Sequence, residues 1–335
     1  MRLVLAFVSA VALQAGCASE PRGPRLYVTN EISGDLSVID LGSSSVIATI
    51  PVGKRPRGIR VSPDGTSVYV ALSGSPIAGP GVDESKLPPP DRRFDGIGVI
   101  DVRSGKMLKT LAAGSDPEQL AVSQDGERLF VANEDAGEVT IVEVGTGKVV
   151  RTIPVGGEPE GVDLSPDGRW VYVTSEEDNQ VAVIDADSLT LATTVPVGAR
   201  PRSTGFLPDG SRAYVSAEND GAIYAIDSVQ HRVIGPIKIA GARPMGVVAA
   251  PDGRHVYVSA GRGRFAAIVD VATQTHVGSV EVGERPWGIA VASDGKTLYT
   301  ANGPSNDVSI VDIASRTVSA RVRVGRQPWG LAIVP

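Results

Sequence analysis

The sequence predicts an all-β, seven-bladed propeller, and three observations carry that reading. A short phrase, VG or AG followed three residues later by proline, recurs seven times, with prolines at 56, 117, 159, 201, 244, 286 and 328. After the first interval these prolines lie 42 or 43 residues apart, a period that belongs to solenoids or propellers. Each period holds four short segments that read as strands, which selects four-stranded antiparallel blades. The chain also starts and ends inside a repeat, as a ring closed by strand exchange between its termini requires.

Strand by strand, the N-terminal part opens with RLYVTN, DLSVID and VIATIPVG, a second, third and fourth strand with no first. WGLAIV at 329–334 is a first strand with no continuation, so it completes the blade begun at Arg25 and removes a sheet edge open to aggregation. The unit around residues 160–198 shows the full pattern: EGVDLS, the turn PDG, WVYVTS, QVAVID and LATTVPVG. Every segment is β-branched or alternating and is bounded by Gly, Pro, Asp or Asn. The Asp-Gly pairs beginning at Asp64, Asp125, Asp167, Asp209, Asp252 and Asp294 are hairpin turns, with glycine supplying positive φ. Asp40, Asp101, Asp185, Asp227, Asp270 and Asp312, with Glu143 in the remaining unit, end third strands and order the turn that follows. Tyr27, Tyr69, Phe130, Tyr172, Tyr214, Tyr257 and Tyr299 share one strand position and are read as packing between blades.

Residues 25–335 are thus one propeller domain, preceded by a signal segment at 1–17 and a linker at 18–24, and interrupted by an insertion at 73–96. MRLVLAFVSAVALQAGC has a basic start, an apolar run and small residues before its end, as a secretory signal does. Its LQAGC ending resembles a bacterial lipoprotein signal, with Cys17 as the lipidated residue, although Gln14 stands where that pattern prefers leucine. The alternative is ordinary cleavage near Ala18. Cys17 is the chain's one cysteine, so there is neither an internal disulfide nor a CxxCH haem site. A net charge of −6 argues against a nucleic-acid binder, and no apolar run after the N-terminus is long enough to span a membrane. The expected location is the periplasm, with membrane contact only through a lipid anchor.

Function is sought in the residues that change while the scaffold repeats. The start of the first strand and the loop after the second share one face, the mouth of the central channel. The pairs flanking the prolines are Arg55 and Arg57, Asp116 and Glu118, Glu158 and Glu160, Arg200 and Arg202, Arg243 and Met245, Arg285 and Trp287, and Gln327 and Trp329. Second-strand loops add Glu31, Glu134, Glu176 and Glu218. Glu118, Glu134, Glu160 and Glu176 crowd two adjacent blades, and like charges raise one another's pKa unless a cation neutralises them. Arg57 and Arg202 are internal candidates for that cation. A metal ion, an organic amine or a basic partner segment are external ones. Arg57, Arg202, Trp287 and Trp329 are the expected anchors of a binding site, since Arg and Trp dominate binding energy at recesses. The insertion, rich in Pro and Gly, is expected to be a mobile flap over the mouth.

The phrases LYVTN, VSIVD, TIPVG and SPDG resemble the YVTN-type β-propeller family over all of the chain after about residue 24. VGKRPRG, VGGEPEG, YTANGPSNDVSIVD and VGRQPWG are closer still to propellers associated with bacterial PQQ-dependent alcohol catabolism; the insertion at 73–96 departs from that pattern. This resemblance implies an exported partner of a quinoprotein oxidation system, with no established reaction of its own. His231, His255 and His276 fall away from the channel face and are expected to be solvated, so neither a Ser-His-Asp arrangement nor a haem ligand set is expected, and no cofactor is. The sequence reading is a non-catalytic module binding a periplasmic protein or small molecule. The alternative is a metal-assisted lactonase using Glu31, Asn133, Glu176 and Asn302.

Overall fold

The computed structural model describes residues 23–77 and 86–335; the signal segment, Cys17 and the centre of the insertion lie outside them. The described chain forms seven four-stranded antiparallel sheets arranged as a propeller, the architecture expected from the repeats. Blade 1 combines the C-terminal strand β28 (Pro328–Val334) with β1 (Arg25–Asn30), β2 (Asp35–Asp40) and β3 (Ser45–Pro51). Blades 2 to 7 follow in chain order. Closure is in register, pairing Arg25 with Val334, Leu26 with Ile333 and Tyr27 with Ala332.

The first strand of every blade meets the first strand of its neighbours, so these strands line the channel. Second and third strands are buried on both faces, as β13 (Trp170–Ser175) and β14 (Gln180–Asp185) show, while outer strands such as β27 (Thr317–Arg323) alternate exposed and half-buried residues. The apolar core is therefore seven wedges between blades. Tyr27 packs with Ile59 and Val70 of the next blade, Tyr69 with Leu120 and Val131, and Tyr299 with Leu26 and Leu331, confirming the recurrent aromatic as inter-blade packing.

The turn aspartates behave as read. Asp64 Oδ1 accepts from the Thr66 backbone N–H at 3.0 Å, and Asp40 Oδ1 from that of Ser43 at 2.7 Å. One expectation needs correction: His231 is packed rather than solvated. It shares a 2.8 Å hydrogen bond between its Nδ1 and the Tyr172 hydroxyl and stands edge-on to Trp170, ring centres 4.6 Å apart. Burial pushes its pKa down, with Arg169 adding to the effect. His255 and His276 are likewise half-buried.

Two local devices aim the mouth residues. Proline cannot donate to the ladder, and the register slips just after it, between Pro159 and Val162 and again between Pro286 and Ile289. The residue before the proline is left-handed at Arg55, Asp116, Glu158, Arg200, Arg285 and Gln327, with φ from 41° to 59°. This sparsely populated conformation in non-glycine residues concentrates backbone strain on the mouth face. Close approach explains the glycine that usually sits two residues after the proline: a Cβ at Gly288 would meet the Trp329 carbonyl oxygen at 2.4 Å.

Candidate functional site

Around the mouth the charged side chains form two networks, and a third sector holds an arginine, Arg285, that joins neither. In blades 1 to 3, Arg57 donates to Asp116 at 3.1 Å and to Glu134 at 3.3 Å and also pairs with Glu118. Arg55 donates to Glu31 at 3.2 Å and lies 4.0 Å from Asp116. Arg57, Asp116 and Glu118 are buried. In blades 4 to 6, Arg202 reaches Glu160 at 2.5 Å and Glu218 at 2.9 Å and pairs with Glu176 as well. Arg200 holds Glu176 at 2.6 Å, and Arg243 lies 3.4 Å from Glu218. The crowded carboxylates thus receive their positive charge from within the chain, through Arg57 and Arg202.

Compensation is uneven within the network of blades 4 to 6. Burial pushes the Glu176 pKa up, and the adjacent Glu160 charge pushes it further, against the opposing pull of Arg202 and Arg200. Burial works the same way on Glu218, but there Arg202, Arg200 and Arg243 outweigh it and hold the pKa below the usual carboxylate range. One carboxyl of the network therefore tends to keep its proton while its neighbour stays ionised.

The third sector holds Arg285, Trp287 and Trp329. The Arg285 guanidinium lies 5.4 Å from the Trp287 ring centre, and the two indoles pack 5.8 Å apart at 43°. Among the described residues no carboxylate lies within 4.0 Å of Arg285. Burial lowers its pKa, and Arg262, Arg202 and Arg243 add like charge that Glu218 only partly offsets. Trp329 is buried and Trp287 half-buried. The stem of the insertion stands on the same face: Arg55 donates to the carbonyls of Ser75 and Pro76, Arg92 pairs with Asp135, and Lys54 lies 4.0 Å over the Phe94 ring.

Beneath the mouth is a channel cavity of about 400 Å³, reached past Glu160, Arg202, Met245, Trp287 and Trp329. Its wall includes Arg60, Gln119, Asp163 and Thr204, which sequence reasoning missed. The signal was present in the repeat alignment. Four residues after the proline, Arg60 and Asp163 stand where other blades have Ala, Gly or Val. Two and three residues after it, Gln119 replaces the common glycine and Thr204 an aliphatic residue.

Three of the four residues weighed for a metal-dependent lactonase have their oxygens engaged elsewhere, whereas the Asn133 Oδ1 has no hydrogen-bond partner among the described residues. Asn133 donates to Thr140, Asn302 to Asp307 and Ser309, and Glu31 and Glu176 belong to the ion networks. Among the described residues no group of three or more His, Cys, Asp or Glu side chains is disposed to hold a metal ion.

Comparison with known proteins agrees with the fold. The family model for the cytochrome D1 heme domain matches residues 95–212, about a third of the chain. That stretch contains neither histidine nor cysteine, and the three histidines are not among the residues lining the channel cavity, whose lining does include the thioether of Met245. Antigen Lp49 of Leptospira interrogans is 28% identical over 109 residues, which is 32% of this chain and 23% of that protein. Among solved structures, a "putative 6-phosphogluconolactonase" of Bacteroides fragilis superposes with a TM-score of 0.77 at 20% identity, covering 95% of this chain and 99% of the other. Hydrazine synthase of Kuenenia stuttgartiensis gives 0.71 at 22% identity, covering 83% and 89%. These similarities define the class as a seven-bladed β-propeller. At such identities they carry the fold alone.

Proposed function

We propose that this protein is an exported, non-catalytic binding propeller that docks a periplasmic partner protein or small ligand on its channel mouth. The observation that supports the reading is the mouth itself. The scaffold positions repeat from blade to blade, whereas the residues flanking the prolines differ and form one continuous charged and aromatic surface. Arg57 and Arg202 are consumed by internal acids, so the anchoring role passes to Arg285 and Trp287, where a guanidinium without a carboxylate partner among the described residues stands beside an indole face. The resemblance to YVTN propellers of quinoprotein-dependent alcohol oxidation suggests the system it serves. The lactonase alternative finds less support, because Glu31 and Glu176 are committed to ion pairs and Asn302 to strand-end hydrogen bonds.

The test is capture from the envelope of the source organism, using the mature protein, an Arg285→Gln/Trp287→Leu variant and a control changed on the outer strands at Thr317 and Arg321. A partner recovered with wild type and control, but at least tenfold depleted with the mouth variant, supports the reading. Equal recovery with all three rejects the mouth as the docking surface.

A further inference from the structure

We propose that the channel beneath the mouth is a binding site for an uncharged amphipathic small molecule, seated with a hydroxyl-type end on one wall and an apolar body on the other. The site shares Met245 and Trp287 with the mouth surface, but its polar wall lies on other residues and does not depend on a docked partner. Its volume of about 400 Å³ falls in the range of small-molecule pockets.

The polar wall comes from blades 2 to 5. Arg60 reaches from blade 2 across to blade 4, donating to the Val162 carbonyl at 3.2 Å as well as to the Ile59 carbonyl at 3.0 Å. Burial pushes the pKa of Asp163, the next residue after Val162, up against the charge of nearby Arg60. Between and beside them are two polar atoms with no partner, the Gln119 Oε1 and the Thr204 hydroxyl. Thr204 is only 5% exposed, and both side chains line the cavity. A buried polar atom left unpaired is unfavourable by roughly 1–3 kcal/mol, so two on one wall of a cavity point to a group that enters and satisfies them.

The opposite wall is Met245, Val247, Trp287, Ile289, Leu331 and Ile333. It offers contact area and no charge. This division selects the ligand class. Gln119 Oε1 needs a donor, and the Thr204 hydroxyl can give or accept, which a ligand hydroxyl matches. Arg60 and Asp163 bring opposite charges to the same wall, so an ammonium or a carboxylate would meet a like charge beside its opposite one, next to an apolar face that penalises net charge. A neutral hydroxyl on an aryl or alkyl body avoids both.

The experiment uses three probes of one shape, 4-phenylbutan-1-ol, 4-phenylbutylammonium and 4-phenylbutyrate, followed by saturation-transfer NMR and by tryptophan fluorescence. The mature protein is compared with Thr204→Val and Gln119→Leu. The alcohol is expected to bind wild type at least tenfold more tightly than either charged probe. Each substitution is expected to weaken the alcohol by roughly 3–10-fold, the equivalent of one net hydrogen bond, while the free variants melt no lower than wild type because an unpaired polar group has been removed. That separation of melting from binding distinguishes a ligand contact from a packing role. Failure of the alcohol to bind wild type, preference for a charged probe, or unchanged alcohol affinity in both variants would each overturn the proposal. Partner capture is read in a separate assay, so either conclusion can fail alone.

Discussion

Removing Arg202 should expose how much the charge network of blades 4 to 6 depends on one side chain. In the Arg202→Met variant, Glu160 and Glu218 lose donors at 2.5 Å and 2.9 Å, and Glu176 loses one of its two arginines. Arg202 is 13% exposed, so water replaces it poorly. Breaking a buried ion pair by deleting one partner typically destabilises by about 3–5 kcal/mol. With an unfolding entropy near 2.1 cal/mol/K per residue over about 310 residues, that corresponds to a fall of roughly 5–8 °C in Tm. Urea and thermal unfolding at pH 7 would measure it. Repeating both at pH 5 should recover part of the loss, because the unpaired acids then take up protons more readily than in wild type. A loss below about 1 kcal/mol at pH 7, or one that acid does not relieve, would refute the view that Arg202 neutralises these carboxylates.

Glu176 has a folded pKa above its unfolded value, so the folded state holds a proton that the unfolded chain releases above the ordinary carboxylate range. Its contribution is complete below that range and is lost as pH rises toward the folded pKa, with a slope of at most about 1.4 kcal/mol per pH unit. Glu176→Gln should therefore melt above wild type at pH 7 and flatten the decline in stability between the ordinary carboxylate range and the folded pKa; an unchanged pH profile would show that Glu176 is ionised. Deleting residues 328–335 removes Trp329, Leu331, Ala332 and Val334 from the closing wedges, a loss comparable with the 5–15 kcal/mol stability of a typical domain. The truncated chain should show no cooperative melt, and one that melts like the full chain would contradict closure by β28. Gly288→Ala should destabilise by roughly 1–3 kcal/mol through overpacking. Gly235→Ala, where an added Cβ meets nothing within 4 Å, should leave stability unchanged or slightly higher by circular dichroism melting.

The sequence alone determined the blade count, the four-strand unit, the closing strand and the packing role of the recurrent aromatic. These follow from periodicity, which local rules and a repeated phrase make visible many times over. It also placed the variable residues on one face, because the start of the first strand and the end of the second must meet there. It named Arg57 and Arg202 as internal candidates for pairing the crowded acids and also as anchors for an external ligand. Only the tertiary structure decided between those uses, since the distances from Arg57 to Asp116 and from Arg202 to Glu160 depend on how neighbouring blades rotate their first strands toward one another. The fate of His231 was hidden for the same reason: its partners Tyr172 and Trp170 lie in another blade, 59 and 61 residues away in the chain. Arg60, Gln119, Asp163 and Thr204 were legible as departures from the repeat, yet their convergence on one cavity wall was not. A repeat fixes which strand faces the channel, but the ring's closure decides which side chains meet across it.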